Sequence, residues 1–108
     1  MRESDAIDIM RDRVPGLPTP YGSGDDAAVL QAAVGSRVIT QDALVEGTHF
    51  IRNHPAEMLG QKLLAVNLSD VAAMGAHPEG FVLSSALPRE TPESWWTALA
   101  EGLGAYAE

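Results

Sequence analysis

The chain has 108 residues, enough for one domain with one core. Fifteen Asp and Glu against seven Lys and Arg give a net charge of −8. The cations are scattered, so a polyanion such as a nucleic acid is excluded as a partner on charge grounds. There is no cysteine, hence no disulfide and no thiolate metal site, which fits a cytoplasmic protein.

Residues 1–13 carry charges of both signs, with Ile7 and Met10 at helical spacing, and are expected to form a helix. They lack the apolar core of a signal peptide. The stretch 14–24, "VPGLPTPYGSG", is too rich in Pro and Gly for a regular element. Three short strands are expected next: "DAAVL" (26–30), "RVIT" (37–40) and "ALVEGTHF" (43–50), with a turn at "AAVGS" between the first two and a bend or bulge at Glu46–Gly47. A helix should start near Pro55, run to about Met74 and stop at Gly75, with Pro78 beyond. Its longest apolar run, Leu63 to Met74, contains Asn67, Ser69 and Asp70, so it is too short and too polar to span a membrane. "EGFVLSSALP" (79–88) reads as a fourth strand. Thr91 as N-cap and Pro92 at the first helical position announce a last helix, with Trp95, Leu99, Leu103 and Tyr106 at helical spacing. Of the adjacent Trp95 and Trp96, only one can face the core. This helix stops without a cap, and the chain is expected to be a piece of something longer. The expected order is β-β-β-α-β-α, an α+β fold with a mixed or antiparallel sheet and helices packed on one face.

Four acids stand out. In "GSGDDAAVL" (22–30), Gly22 and Gly24 allow close backbone approach to a ligand, and Asp25 and Asp26 offer the hard oxygen ligands that magnesium takes. Read alone, the same composition is that of an ordinary surface turn. Asp42 follows a strand end, with Thr40 and Gln41 adding oxygens beside it and His49 further along. Asp70 lies in the second half of a helix that is apolar nearly all round, with Asn67 one turn before it. A buried carboxylate near a helix C-terminus is doubly unfavourable unless it binds a cation. Together the acids suggest a multi-carboxylate magnesium site, and the scarcity of Lys and Arg fits a polyphosphate neutralised by metal.

With these residues in hand, the chain resembles the N-terminal part of the thiamine-monophosphate kinase family, within the aminoimidazole-ribonucleotide synthetase-like superfamily of ATP-using enzymes. The resemblance rests on "GSGDDAAVL", "QDALVEGTHF", "LGQKLLAVNLSDVAAMGAHP" and "LSSALP", in that order. It implies a lead-in over 1–21 and an ATP- and magnesium-binding domain over 22–108. It implies that Asp26, Thr40, Gln41, Asp42 and Asp70 hold magnesium, with Gln41 standing where Ser or Thr is usual. It further implies that His49 contacts the substrate, that Tyr106 contacts ATP, and that the protein is a homodimer whose sheets pair into a barrel. The implied reaction is ATP-dependent phosphorylation of thiamine monophosphate to thiamine diphosphate. The family's later Gly-Gly-Asp-Thr loop and C-terminal domain lie outside this chain, so the segment alone is expected to be inactive. Two other readings stay open: a synthetase of the same superfamily, of the aminoimidazole-ribonucleotide or selenophosphate type, and a non-catalytic dimerisation or metal-binding module. The absence of a reactive cysteine weighs against the selenophosphate type.

Overall fold

Helix formation is decided by local signals, and all three expected helices are present: α1 (Glu3–Arg13), α2 (Ala56–Ala73) and α3 (Glu93–Ala107). The structure is a computed structural model that describes residues 1–16, 30 and 34–107. At the start of α1 the Arg2 backbone N–H and guanidinium both donate to the Asp5 carboxylate, at 3.1–3.2 Å. The hydrogen bond from the Arg2 side chain, and then that from its backbone, holds the Asp5 carboxyl below its usual range. Glu3 and Asp5 in the first turn and Arg11 and Arg13 in the last complement the helix dipole.

Pro55 is the N-cap of α2, its carbonyl accepting from Leu59 N–H at 3.0 Å. The helix ends in a Schellman arrangement. Gly75 N–H bonds to the Ala72 carbonyl, Ala76 N–H bonds to the Val71 carbonyl, and Gly75 takes φ +69°. Pro92 supplies the first helical carbonyl of α3, to Trp95 and Trp96. The Thr91 hydroxyl, expected to cap this helix, instead donates to the Pro88 carbonyl at 2.7 Å.

The core lies where α3 meets α2, with α1 laid against α3. It contains Ala56, Leu59 and Leu64 from α2 and Trp96, Leu99, Ala100 and Leu103 from α3. Ala6, Ile9 and Met10 of α1 pack on its edge, as do Leu44, Phe50 and Leu83 from the connecting segments. Of the two tryptophans, Trp96 is the buried one, and its indole N–H donates to the Ala6 carbonyl at 2.8 Å. Two helix backbones touch at the α2–α3 crossing. A Cβ built on Gly60 would strike the Leu99 carbonyl oxygen, and one on Gly102 the Glu57 carbonyl oxygen. Gly104 is pressed in the same way against the Arg13 carbonyl. Glycine at these three positions lets the helices approach more closely than side chains permit. No helix among the described residues is long and apolar enough to cross a membrane.

The expected α+β fold is not what forms. Among the described residues there is no β-strand, so neither the β-β-β-α-β-α sheet nor its pairing into a dimeric barrel is present. The segments 37–40 and 79–88 carry no ladder, and the single bridge among the described residues, Glu46 with Phe50, closes a turn inside the expected third strand. Of the expected first strand, 26–30, only Leu30 is among the described residues. The reason is physical. A helix satisfies its backbone hydrogen bonds within itself, whereas a strand needs a partner distant in sequence. Alternation and β-branching mark a segment as suited to a sheet without supplying that partner. The side chains meant for a sheet core remain exposed, Ile39 at 91% and Val82 at 92%.

The burial of α2 also differs from expectation. Only Ala56, Leu59, Gly60 and Leu64 are buried, all in its first half. Its second half, including Asp70, reaches solvent, as does Met74 just beyond it.

Candidate functional site

The segment 40–50 is built around a tight turn that starts at Val45. The Val45 carbonyl accepts from Thr48 N–H at 3.0 Å and His49 N–H at 2.8 Å, and Gly47 N–H donates to the Phe50 carbonyl at 2.8 Å. Gly47 takes φ +84°, which only glycine adopts at little cost. Leu44 and Phe50 flank the turn and pack on the core, so the turn is anchored at both ends. The Val45 backbone N–H donates to His49 Nδ1 at 2.9 Å, and Lys62 Nζ donates to the His49 carbonyl at 2.9 Å. The imidazole is thus tied to its own turn, and the turn to α2. His49 itself is exposed.

Upstream, Thr40 is half-buried, while Gln41 and Asp42 are exposed. Asp42 Oδ1 accepts from Ala43 N–H at 2.8 Å, which orients the carboxylate against the following peptide. Asp70 sits in the last turn of α2, exposed to solvent. No basic residue lies in that turn to offset the acid against the dipole. Neither Asp42 nor Asp70 forms an ion pair among the described residues. Asn67, one turn before Asp70, donates through Nδ2 to the Leu63 carbonyl at 2.8 Å, so its amide is engaged with its own helix. Tyr106 is half exposed near the end of α3.

The structure therefore places Thr40, Gln41, Asp42, His49, Asp70 and Tyr106, while Asp25, Asp26 and the glycines beside them lie outside the described residues. Among the described residues no three His, Asp or Glu side chains converge into a group that could hold a metal ion. Asp42 and Asp70 each present an exposed carboxylate, a hard oxygen donor, without an ion-pair partner among the described residues. Two surface depressions among the described residues lie elsewhere. One of about 460 Å³ is lined by Asp8, Arg11 and Asp12, and a smaller one of about 200 Å³ by residues that include Met1, Arg2 and Arg89. Both are open, and neither touches a candidate residue.

One engaged residue was not singled out by sequence reasoning. Lys62 is the chain's only lysine, in a sequence with fifteen acids, and that rarity is the signal that could have marked it.

The family described as AIR synthase related protein, N-terminal domain, matches residues 24–108. The thiamine-monophosphate kinase of Synechococcus elongatus is 45% identical over 82 residues, covering 74% of this chain and 25% of that protein. The thiamine-monophosphate kinase of Mycobacterium tuberculosis strain H37Rv is 39% identical over 96 residues, 88% of this chain and 29% of that protein. That of Bacillus subtilis is 40% identical over 89 residues, 81% of this chain and 27% of that protein. The chain spans about a quarter of the length of these curated relatives. No solved structure matches significantly.

Proposed function

Because the chain belongs to the AIR synthase related protein family, matching its N-terminal domain, we propose that it carries part of the active site of a cytoplasmic thiamine-monophosphate kinase. The observation that carries the proposal is the pair Asp42 and Asp70, exposed and without a cationic partner among the described residues, in a chain whose curated relatives bear that name. The reaction transfers the terminal phosphoryl group of ATP to the phosphate of thiamine monophosphate. The bond between the β–γ bridging oxygen and the γ-phosphorus breaks, a new P–O–P linkage forms, and ADP leaves.

The acceptor is a phosphate with a second pKa of about 6, so it is substantially ionised at neutral pH and no strong general base is needed. Such a transfer depends on in-line positioning and on charge stabilisation. Magnesium, when bound, supplies neutralisation of the phosphate charge. Asp42 and Asp70, with Thr40 and Gln41 beside the former, are the residues of this chain that would hold it, together with Asp26. His49 would contact the substrate phosphate, and Tyr106 would contact ATP. The pinned turn at 45–50 supports this role for His49, since a ring held by its own backbone is pre-oriented toward a ligand.

The test is product formation. The full-length protein carrying these residues is incubated with magnesium and ATP against thiamine monophosphate, thiamine, an aminoimidazole-ribonucleotide precursor and selenide. Thiamine diphosphate from the first substrate alone is the expected result. Turnover of one of the others with none of thiamine monophosphate assigns the chain to a different member of the superfamily, and the absence of any turnover or ATP binding favours a non-catalytic module.

A further inference from the structure

The His49 imidazole has two nitrogens in different situations. Nδ1 accepts from the Val45 backbone N–H, and a nitrogen can accept only when it carries no proton. The neutral ring therefore bears its proton on Nε2, which has no hydrogen-bond partner among the described residues and belongs to an exposed side chain. In that state Nε2–H is a hydrogen-bond donor to a ligand. It is neither a lone pair for a metal ion nor a base for a hydroxyl proton.

Lys62 reaches the same residue from α2. In a chain with fifteen acids the only lysine makes no carboxylate pair among the described residues. Its ammonium is directed instead at one backbone carbonyl, that of His49, thirteen positions away. The bond crosses from the first half of α2, which is fixed by buried Leu59 and Leu64, to the turn that carries the ring. We propose that Lys62 is a positioning residue, which clamps the His49 peptide to α2 and so keeps the ring in the Nε2–H form, aimed outward as a donor to a phosphate oxygen. The inference rests on the kinase reading for the identity of its ligand, thiamine monophosphate, and on the geometry alone for the clamp. A point charge on a flexible stem suits the task, since it needs reach and one acceptor rather than a planar fork.

The experiment uses the full-length protein carrying these residues, labelled with ¹⁵N in its histidine rings, as wild type, Lys62→Met, Lys62→Arg and His49→Phe. The last variant also assigns the His49 resonances. In wild type, above neutral pH, Nδ1 is expected to appear pyridine-like and Nε2 pyrrole-like. Lys62→Met collapses that separation toward a tautomer average, and Lys62→Arg restores it. In the kinase assay, Lys62→Met raises KM for thiamine monophosphate by about three- to tenfold with kcat little changed, the loss of one oriented hydrogen bond. Lys62→Met combined with His49→Phe then costs no more than His49→Phe alone. An unchanged tautomer in Lys62→Met overturns the clamp, as does loss of helical circular dichroism in that variant, because an exposed residue acting only through His49 leaves the helices intact. If wild type keeps the tautomer and forms thiamine diphosphate, yet thiamine monophosphate leaves His49 Nε2 unperturbed, the phosphate contact falls while the clamp stands on its own spectrum; the kinase reading falls only if no thiamine diphosphate forms.

Discussion

Replacing Gly102 by alanine adds one methyl group at a place where two helix backbones already touch. The new Cβ would strike the Glu57 carbonyl oxygen and lie 2.9 Å from the Glu57 carbonyl carbon and 3.2 Å from Gln61 N. Comfortable separation for such atoms begins at about 3.5 Å. A side-chain tip could swing aside, but a helix backbone cannot, so relief requires α2 and α3 to part and opens space around Leu99 and Leu103. Overpacking of this kind costs about 1–3 kcal/mol, and a backbone obstacle places Gly102 at the upper end. Alanine returns about 1 kcal/mol through its better helix propensity. The net loss is about 2 kcal/mol, or about 8–16 °C in Tm for a chain of this size. Thermal unfolding by circular dichroism measures it, with Gly16→Ala as the control. A methyl group added at Gly16 would meet no atom of the described residues within 4 Å, and the backbone there is not left-handed. That substitution should shift stability by no more than about 0.5 kcal/mol. A Gly102→Ala variant as stable as wild type, or more so, would refute the backbone contact, because propensity alone would then be acting.

Trp96→Phe keeps most of the ring but removes the indole N–H donated to the Ala6 carbonyl, which keeps its own partner within α1, and this predicts a loss of about 0.5–1.5 kcal/mol by urea unfolding and faster amide exchange in α1 than in α2. Asp42→Asn and Asp70→Asn in the full-length protein should each lower thiamine diphosphate formation about a hundredfold while helical content is kept, and wild-type turnover in either at saturating magnesium would remove that residue from the metal set. Arg2 holds the Asp5 carboxyl below its ordinary value, so the interaction is complete above the unfolded pKa of about 3.9 and is lost as pH falls through the lower folded value. Amide protection at the start of α1, measured relative to the unstructured chain at the same pH, should therefore fall in acid, and in Arg2→Ala that fall should begin at higher pH.

The helices were legible because their signals are local. Pro55, Gly75 and Pro92 fix where α2 and α3 begin and end, to within a residue or two. The strands were misjudged because β-branching at "RVIT" and alternation at "ALVEGTHF" describe a surface awaiting a neighbour. In the second case glycine at 47 turned the chain back on itself instead. The site shows the same division. Asp42 and Asp70 were marked by composition and position, but the burial from which Asp70's need for a cation was argued is absent, since only the first half of α2 is covered. The bonds of His49 depend on where a lysine thirteen residues away ends up, and periodicity carries no such information.

The glycine contact between α2 and α3 also has a mechanical side. With backbone against backbone there is no compressible layer of side chains, so the crossing acts as a fulcrum rather than a cushion. Asp70 lies ten residues beyond Gly60, a lever arm of about 15 Å, so tilting α2 by only about 4° would carry its carboxylate through about 1 Å. Displacements of that size can cost an enzyme about a hundredfold in rate. The smallest side chain in the sequence, ten residues before Asp70, thus sets the aim of an acid proposed to hold the metal.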